Sequence, residues 1–180
     1  MKTVRVGLVG VGTVGRGVFE VLQRNREEIS RRTGREIVVV SASARNVEKA
    51  SKFLGSQVKV YQDPLDVVRD ENVDIVIELI GGTTTARVLI EESVALLKPV
   101  VTANKALIAE FGNELFTQAK ANGSVVAYEA AVAGGIPIIK ALREGLAANR
   151  IDSVAGIVNG TTNFILSEMR DKGISFQEAL

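Results

Sequence analysis

At 180 residues, with 46% hydrophobic and 24% charged side chains, the chain can bury a core in one large or two small domains, and its composition is neither disordered nor fibrous. Its 22 basic and 21 acidic residues balance, which removes the electrostatic case for nucleic acid as a partner, and runs such as Val38-Val39-Val40 and Ile75-Val76-Ile77 are strand-length, far short of a bilayer span. No cysteine and no histidine occur, so thiol covalent catalysis and an imidazole base are closed, and proton transfer falls to Lys, Tyr, a carboxylate or water.

No signal-peptide pattern opens the chain, because Lys2 is followed at once by an alternating strand, Val4-Arg5-Val6-Gly7-Leu8-Val9. That strand runs into Gly10-Val11-Gly12-Thr13-Val14-Gly15. Glycines also fill ordinary turns, but this turn comes straight after a period-2 strand and opens an amphipathic helix, so it reads as the phosphate-gripping corner of a dinucleotide fold. Gly10 permits the tight turn, Gly12 the approach of a pyrophosphate, and Gly15 the packing of helix on sheet, while the helix N-terminus offers free N–H groups to an anion. Val14, Val18, Leu22 and Ile29 then recur at near-helical spacing, predicting one long helix over the sheet that stops at Gly34.

Glu36 to Ala42 is too continuously apolar for a half-exposed strand and suits a parallel strand buried on both faces. Its end carries Ser43-Ala44-Arg45-Asn46, where NAD-binding members of this fold hold an acid on the ribose hydroxyls. Arg45 reads either as an ordinary loop arginine or as a partner for the 2′-phosphate of NADP. Val58 to Tyr61 predicts a short edge strand, and Asp63-Pro64 an N-cap with proline at the first helical position. Asp74 to Ile80 is a central strand ending in Gly81-Gly82-Thr83-Thr84-Thr85, a second turn expected at the switch point of the sheet, with Gly81 and Thr83 facing cofactor. Capping explains its threonines equally well. The following helix should turn Ala86, Leu89, Ile90, Val94 and Leu97 inward.

Pro99 to Ala103 is a fifth strand with Asn104-Lys105 at its carboxyl end. Lys105 is either a solvated surface charge or, beside the nicotinamide crevice, a partly desolvated acid or base. A helix over 111–121 and a sixth strand over 124–128 complete an α/β pattern, a doubly wound, Rossmann-like parallel sheet of order 3-2-1-4-5-6. Near residues 130–135 the pattern changes. The expected division is a dinucleotide-binding domain over 1–130 and the beginning of an α+β substrate and dimerisation domain over 131–180, with a helix from Pro137 to about Ala148, a strand over Ile151–Val158, a turn over 159–163, a helix over 164–172 and another beginning at Ser175.

Four stretches together resemble the homoserine dehydrogenases: the opening glycine corner, Thr102-Ala103-Asn104-Lys105-Ala106-Leu107, Tyr128 to Ile139, and Gly156 to Leu166. The first is generic and the other three are specific. The resemblance implies NAD(P)-dependent interconversion of aspartate 4-semialdehyde and homoserine on the way to threonine and methionine. It also implies that Lys105 stands by nicotinamide and substrate, and that Gly160 and Thr161 touch substrate. Glu129, with the carbonyls of Val132, Gly134 and Ile136, would hold a monovalent cation, expected to be sodium. A small-molecule substrate, a homodimer in the full-length protein, no membrane or nucleic-acid partner and a cytoplasmic location go with it. Segments in which the family carries a substrate-binding acid and the main proton-shuttling lysine are absent from these 180 residues, so the expectation is a chain that keeps the cofactor half and turns over little by itself. The rival class is a non-catalytic nucleotide-binding regulatory module; another alcohol- or amine-acting dehydrogenase is disfavoured, because the generic fold gives Asn159 to Asn163 no role.

Overall fold

In the computed structural model, which describes residues 2–157 and 159–180, strands and helices alternate as the hydrophobic periods demand. β1 (Lys2–Val9) leads to α1 (Thr13–Arg24) and α2 (Arg26–Thr33), β2 (Arg35–Ser43) to α3 (Val47–Leu54), and β3 (Lys59–Tyr61) to α4 (Pro64–Arg69). β4 (Ile75–Glu78) leads to α5 (Thr85–Ala95), and β5 (Val100–Thr102) to α6 (Lys105–Ala121) and β6 (Val126–Ala127). The six strands form one sheet in the order β3-β2-β1-β4-β5-β6, as expected, with every pairing parallel.

Helices cover both faces because alternate residues of the central strands point to opposite sides. Val6 and Leu8 of β1 join Val39, Ala42, Leu54 and Val58 in one apolar cluster, while Val9 joins Val67, Val76, Leu89, Ile90, Leu107 and Leu115 in the other. Asp63 caps α4 as expected, its carboxylate accepting from the Leu65 N–H at 2.9 Å with Pro64 next to it.

The chain divides into two units, Met1–Ile139 and Lys140–Leu180. The second contains α8 (Gly160–Lys172) and α9 (Phe176–Ala179), preceded by α7 (Ile138–Lys140) and a π turn over Ala141–Gly145. Asn159 caps α8 by accepting from the Thr162 N–H at 2.8 Å, and Ser175 with Glu178 forms a capping box on α9. Among the described residues no helix is long and apolar enough to cross a membrane.

Several local expectations need correction. The long helix after the glycine corner bends into two at Asn25, a poor helix former, although the Asn25 N–H still reaches the Val21 carbonyl at 2.9 Å. Leu97 does not turn inward; it lies past the end of α5 with φ 59° and is 65% exposed. α6 starts at Lys105, six residues before the helix expected at 111, because Asn104 caps it. The helix expected from Pro137 to Ala148 shrinks to α7 and the π turn, in which Ile138, Ile139 and Leu142 are only half-buried, so little packing stabilises a longer helix. Residues 151–157 form no strand, since no described strand of that unit pairs with them, and Val158 lies outside the described residues. The turn expected over 159–163 is the cap and first turn of α8.

Candidate functional site

The carboxyl end of β1 turns at Gly10, whose φ of +104° is open to glycine and costly for other residues. Gly15 is fixed by packing: a Cβ there would stand 2.0 Å from the Gly10 carbonyl oxygen. Gly12 differs from both. Its φ of −83° suits any residue, and a Cβ there would meet nothing within 4 Å. Nothing inside the chain therefore asks for glycine at 12; what its missing side chain leaves open is room for something outside the chain. Gly12 is also the N-cap of α1, which has no side-chain cap and no acid in its first turn, so the leading N–H groups stay available to an anion. Val14, on that first turn, is 58% exposed.

Beside β1 in the sheet, β4 ends in Glu78, fully buried and bonded on both carboxyl oxygens. One accepts from the N–H groups of Ile80 and Gly81 at 2.9 and 3.2 Å; the other accepts from the Thr102 hydroxyl at 2.6 Å. The Thr102 hydroxyl in turn accepts from the Asn104 N–H at 3.0 Å, and the Asn104 amide donates to the Gly82 carbonyl at 2.7 Å. These bonds tie the second glycine turn to the cap of α6. Thr84 occupies the N-cap position of α5 but makes no side-chain cap bond, so capping does not account for it, and α5, like α1, begins without an acid in its first turn.

Between the two turns lies a cleft of about 780 Å³. That is the size of a small-ligand site. Of the residues singled out from sequence, it brings together Gly10, Gly12, Thr13, Arg45 and Gly81. Val14, Gly15, Thr83 and Lys105 lie outside its lining. Thr84 and Thr85 of the second turn line it too, and sequence reasoning missed Arg16, Lys49 and Gln62, which also line it. Lys49 had a signal: Asn46 caps α3 by accepting from the Lys49 N–H at 2.8 Å, so the lysine rides one turn beyond Arg45. The side chains of Arg45 and Lys49 find no protein partner among the described residues, and Arg16 lies over the Phe53 ring at 4.8 Å. Arg45 just past β2 and Lys49 in α3, with two uncapped helix starts lining the same cleft, are a donor set suited to an anion such as a dinucleotide phosphate.

Lys105 is the first residue of α6 and is exposed in the chain as it stands. Its neighbour Asn104 bonds the Gly82 carbonyl of the second turn. Glu129 opens a 3-10 turn over Glu129–Ala131 and accepts from the Ile139 N–H at 3.0 Å. Val132, Gly134 and Ile136 follow on the same loop, which Ala133 at φ 54° bends sharply; the Ile136 carbonyl accepts from the Ile138 N–H at 2.8 Å. The loop's donors are one carboxylate and backbone oxygens, a set suited to a hard cation. Gly160 and Thr161, exposed, begin α8 in the second unit.

Comparison with known proteins adds a family. The family described as "Homoserine dehydrogenase, NAD binding domain" matches residues 10–129, and "Homoserine dehydrogenase" matches residues 137–180. The homoserine dehydrogenases of Neisseria gonorrhoeae and Pseudomonas aeruginosa are each 54% identical over 180 residues, which are all of this chain and 41% of those proteins. The crystal structure of a homoserine dehydrogenase from Thiobacillus denitrificans is 59% identical with a TM-score of 0.91, covering 100% of this chain and 42% of that one. A hyperthermophilic archaeal homoserine dehydrogenase in complex with NADPH is 27% identical with a TM-score of 0.80, over 98% of this chain and 59% of that one. The chain thus spans about two-fifths of the length of the curated relatives it matches.

Proposed function

The chain belongs to the homoserine dehydrogenase family, and from that premise we propose that its first unit holds NADP for the interconversion of aspartate 4-semialdehyde and homoserine. Gly12 carries the proposal: it is a glycine that neither backbone nor packing requires, at the start of an uncapped helix, on the wall of a cleft. Gly10, Gly12, Thr13 and Gly81 would hold the pyrophosphate, with Val14 and Gly15 keeping the first turn of α1 in place and Thr83 shaping the second turn. Arg45 would face the 2′-phosphate. When bound, the cofactor supplies hydride transfer at a carbon. The chain's own part is to exclude alternative poses and to hold a proton near the reacting oxygen, which Lys105 can do from its Nζ at the head of α6.

The same premise supports the remaining assignments. Glu129 with the carbonyls of Val132, Gly134 and Ile136 would take sodium, and Gly160 and Thr161 would contact substrate. A homodimer and a cytoplasmic setting are part of the proposal, the latter supported by a sequence without cysteine.

Titration of the 180-residue chain with NADP and NAD, before and after Arg45→Ala, tests the cofactor assignment. A charge-assisted contact is worth ~1.5–3 kcal/mol, so the Arg45 contact alone should favour NADP over NAD roughly tenfold to a hundredfold, and the alanine variant should lose that share of the preference. Equal affinities in the unaltered chain would overturn it.

A further inference from the structure

The least expected group in the sheet is Glu78, an acid with no exposure in the last position of a central strand. Burying a carboxyl group is costly, and a well-packed apolar residue would serve stability as well or better. What a carboxylate offers that an apolar residue cannot is acceptance alone, on two oxygens. Both are used. One gathers the N–H groups of Ile80 and Gly81 inward, beneath the wall of the cleft, and the other anchors on Thr102. Thr102 holds the Asn104 N–H, and Asn104 holds the Gly82 carbonyl and caps the helix that begins with Lys105.

We propose that Glu78 is a positioning residue for the dinucleotide site: through Thr102 and Asn104 it sets the shape of the Ile80–Gly82 turn and fixes Lys105 relative to that turn. It touches no ligand itself. Its binding consequence rests on the dinucleotide reading of the cleft, while its effect on the turn does not. The half of the cofactor that meets the β4 turn should depend on Glu78, and the adenosine half, which meets Arg45 and Lys49 at the end of β2, should not. A residue that merely stabilised the fold would affect both halves together.

Glu78→Gln keeps shape but puts an amide NH₂ where one oxygen was, so either the two turn N–H groups face a donor or Thr102 loses its acceptor. Thr102→Val removes the hydroxyl link at nearly constant volume, and Thr102→Ser keeps it. The probes are NADP and adenosine 2′,5′-bisphosphate by titration, together with hydrogen exchange at the Ile80 and Gly81 amides of the ligand-free chain. Glu78→Gln and Thr102→Val should each weaken NADP about tenfold or more, leave the bisphosphate within about twofold, and speed exchange at Ile80 and Gly81 by about tenfold. Thr102→Ser should behave as the unaltered chain on every readout. Parallel losses for both ligands, or unchanged exchange in Thr102→Val, would overturn the assignment. If the unaltered chain does not bind NADP, the cofactor reading fails, and exchange at Ile80 and Gly81 still decides whether Glu78 sets the turn.

Discussion

The two ends of the sheet use charge in opposite ways. At the amino ends of β4 and β5, ions are consumed by the fold: Arg5 grips Asp74 with two side-chain bonds of 2.8 and 3.1 Å plus its own backbone N–H at 2.8 Å, and Lys98 donates to the carbonyls of Val68 and Asp70 at 2.7 Å each. At the carboxyl end, Arg45 and Lys49 face the cleft with no protein partner among the described residues, and two helices start without side-chain caps. The sheet thus has one end where these cations are paired and another where Arg45 and Lys49 are not. Polar groups that a fold leaves unpaired together, around a concavity, are the first place to test for an outside ligand.

Three substitutions would break or sharpen that contrast. The largest effect is expected at Gly12→Val, whose side chain would project into the space that nothing in the chain fills. NADP binding should fall more than about a hundredfold, since backbone can no longer approach phosphate, while the circular dichroism spectrum and melting temperature stay near those of the unaltered chain. Retained binding would mean that the carboxyl end is a surface and the contrast accidental.

Lys49→Ala should be milder. One charge-assisted contact out of two at the end of β2 would be lost, weakening NADP by about tenfold while leaving NAD within about twofold. A matching fall for NAD would place Lys49 on a phosphate common to both cofactors.

The smallest effect belongs to the satisfied end. The side-chain hydrogen bond from Arg5 holds the Asp74 carboxyl below the ordinary aspartate range. A depressed carboxyl adds stability above its unfolded pKa of about 4 and loses it as pH falls through the lower folded value. Asp74→Asn should therefore lower the melting temperature at neutral pH by only a few degrees, because the pair is more than a third exposed and screened by solvent. The gap to the unaltered chain should narrow as pH drops below about 4, and NADP affinity at neutral pH should not change. A gap constant with pH would show that Arg5 does not depress Asp74.

Much of this was legible in the residues. The strand order follows from alternating elements with short connections, and the first glycine corner from its place between a period-2 strand and a helix. Glu78 was harder to see, because inside Ile75-Val76-Ile77-Glu78-Leu79-Ile80 it reads as one polar residue in an apolar run; the signal was that a charge there had to be buried, and a buried acid needs named partners. Those partners come from another strand, Thr102, and from a turn, which no local pattern announces. The early start of α6 had a cue in Asn104, a residue type that caps helices, overlooked because the strand before it drew the boundary. Residues 151–157 show the reverse failure: an apolar composition suggests a strand, but pairing is a property of a neighbour and cannot be read from the segment alone.

During synthesis, β1 leaves the ribosome well before β4, yet Val6–Val9 pair with Ile75–Glu78 in the finished sheet. At translation rates of about 5–20 residues per second, one edge of β1 waits for roughly 3–14 seconds with its backbone groups open to solvent or to another chain. Gly10 and Gly81, which wall the same cleft, remain apart for that whole interval. The cleft therefore lacks its Gly81 wall until the fourth strand has been made, and β2, which pairs with the opposite side of β1 and can form first, leaves that edge bare.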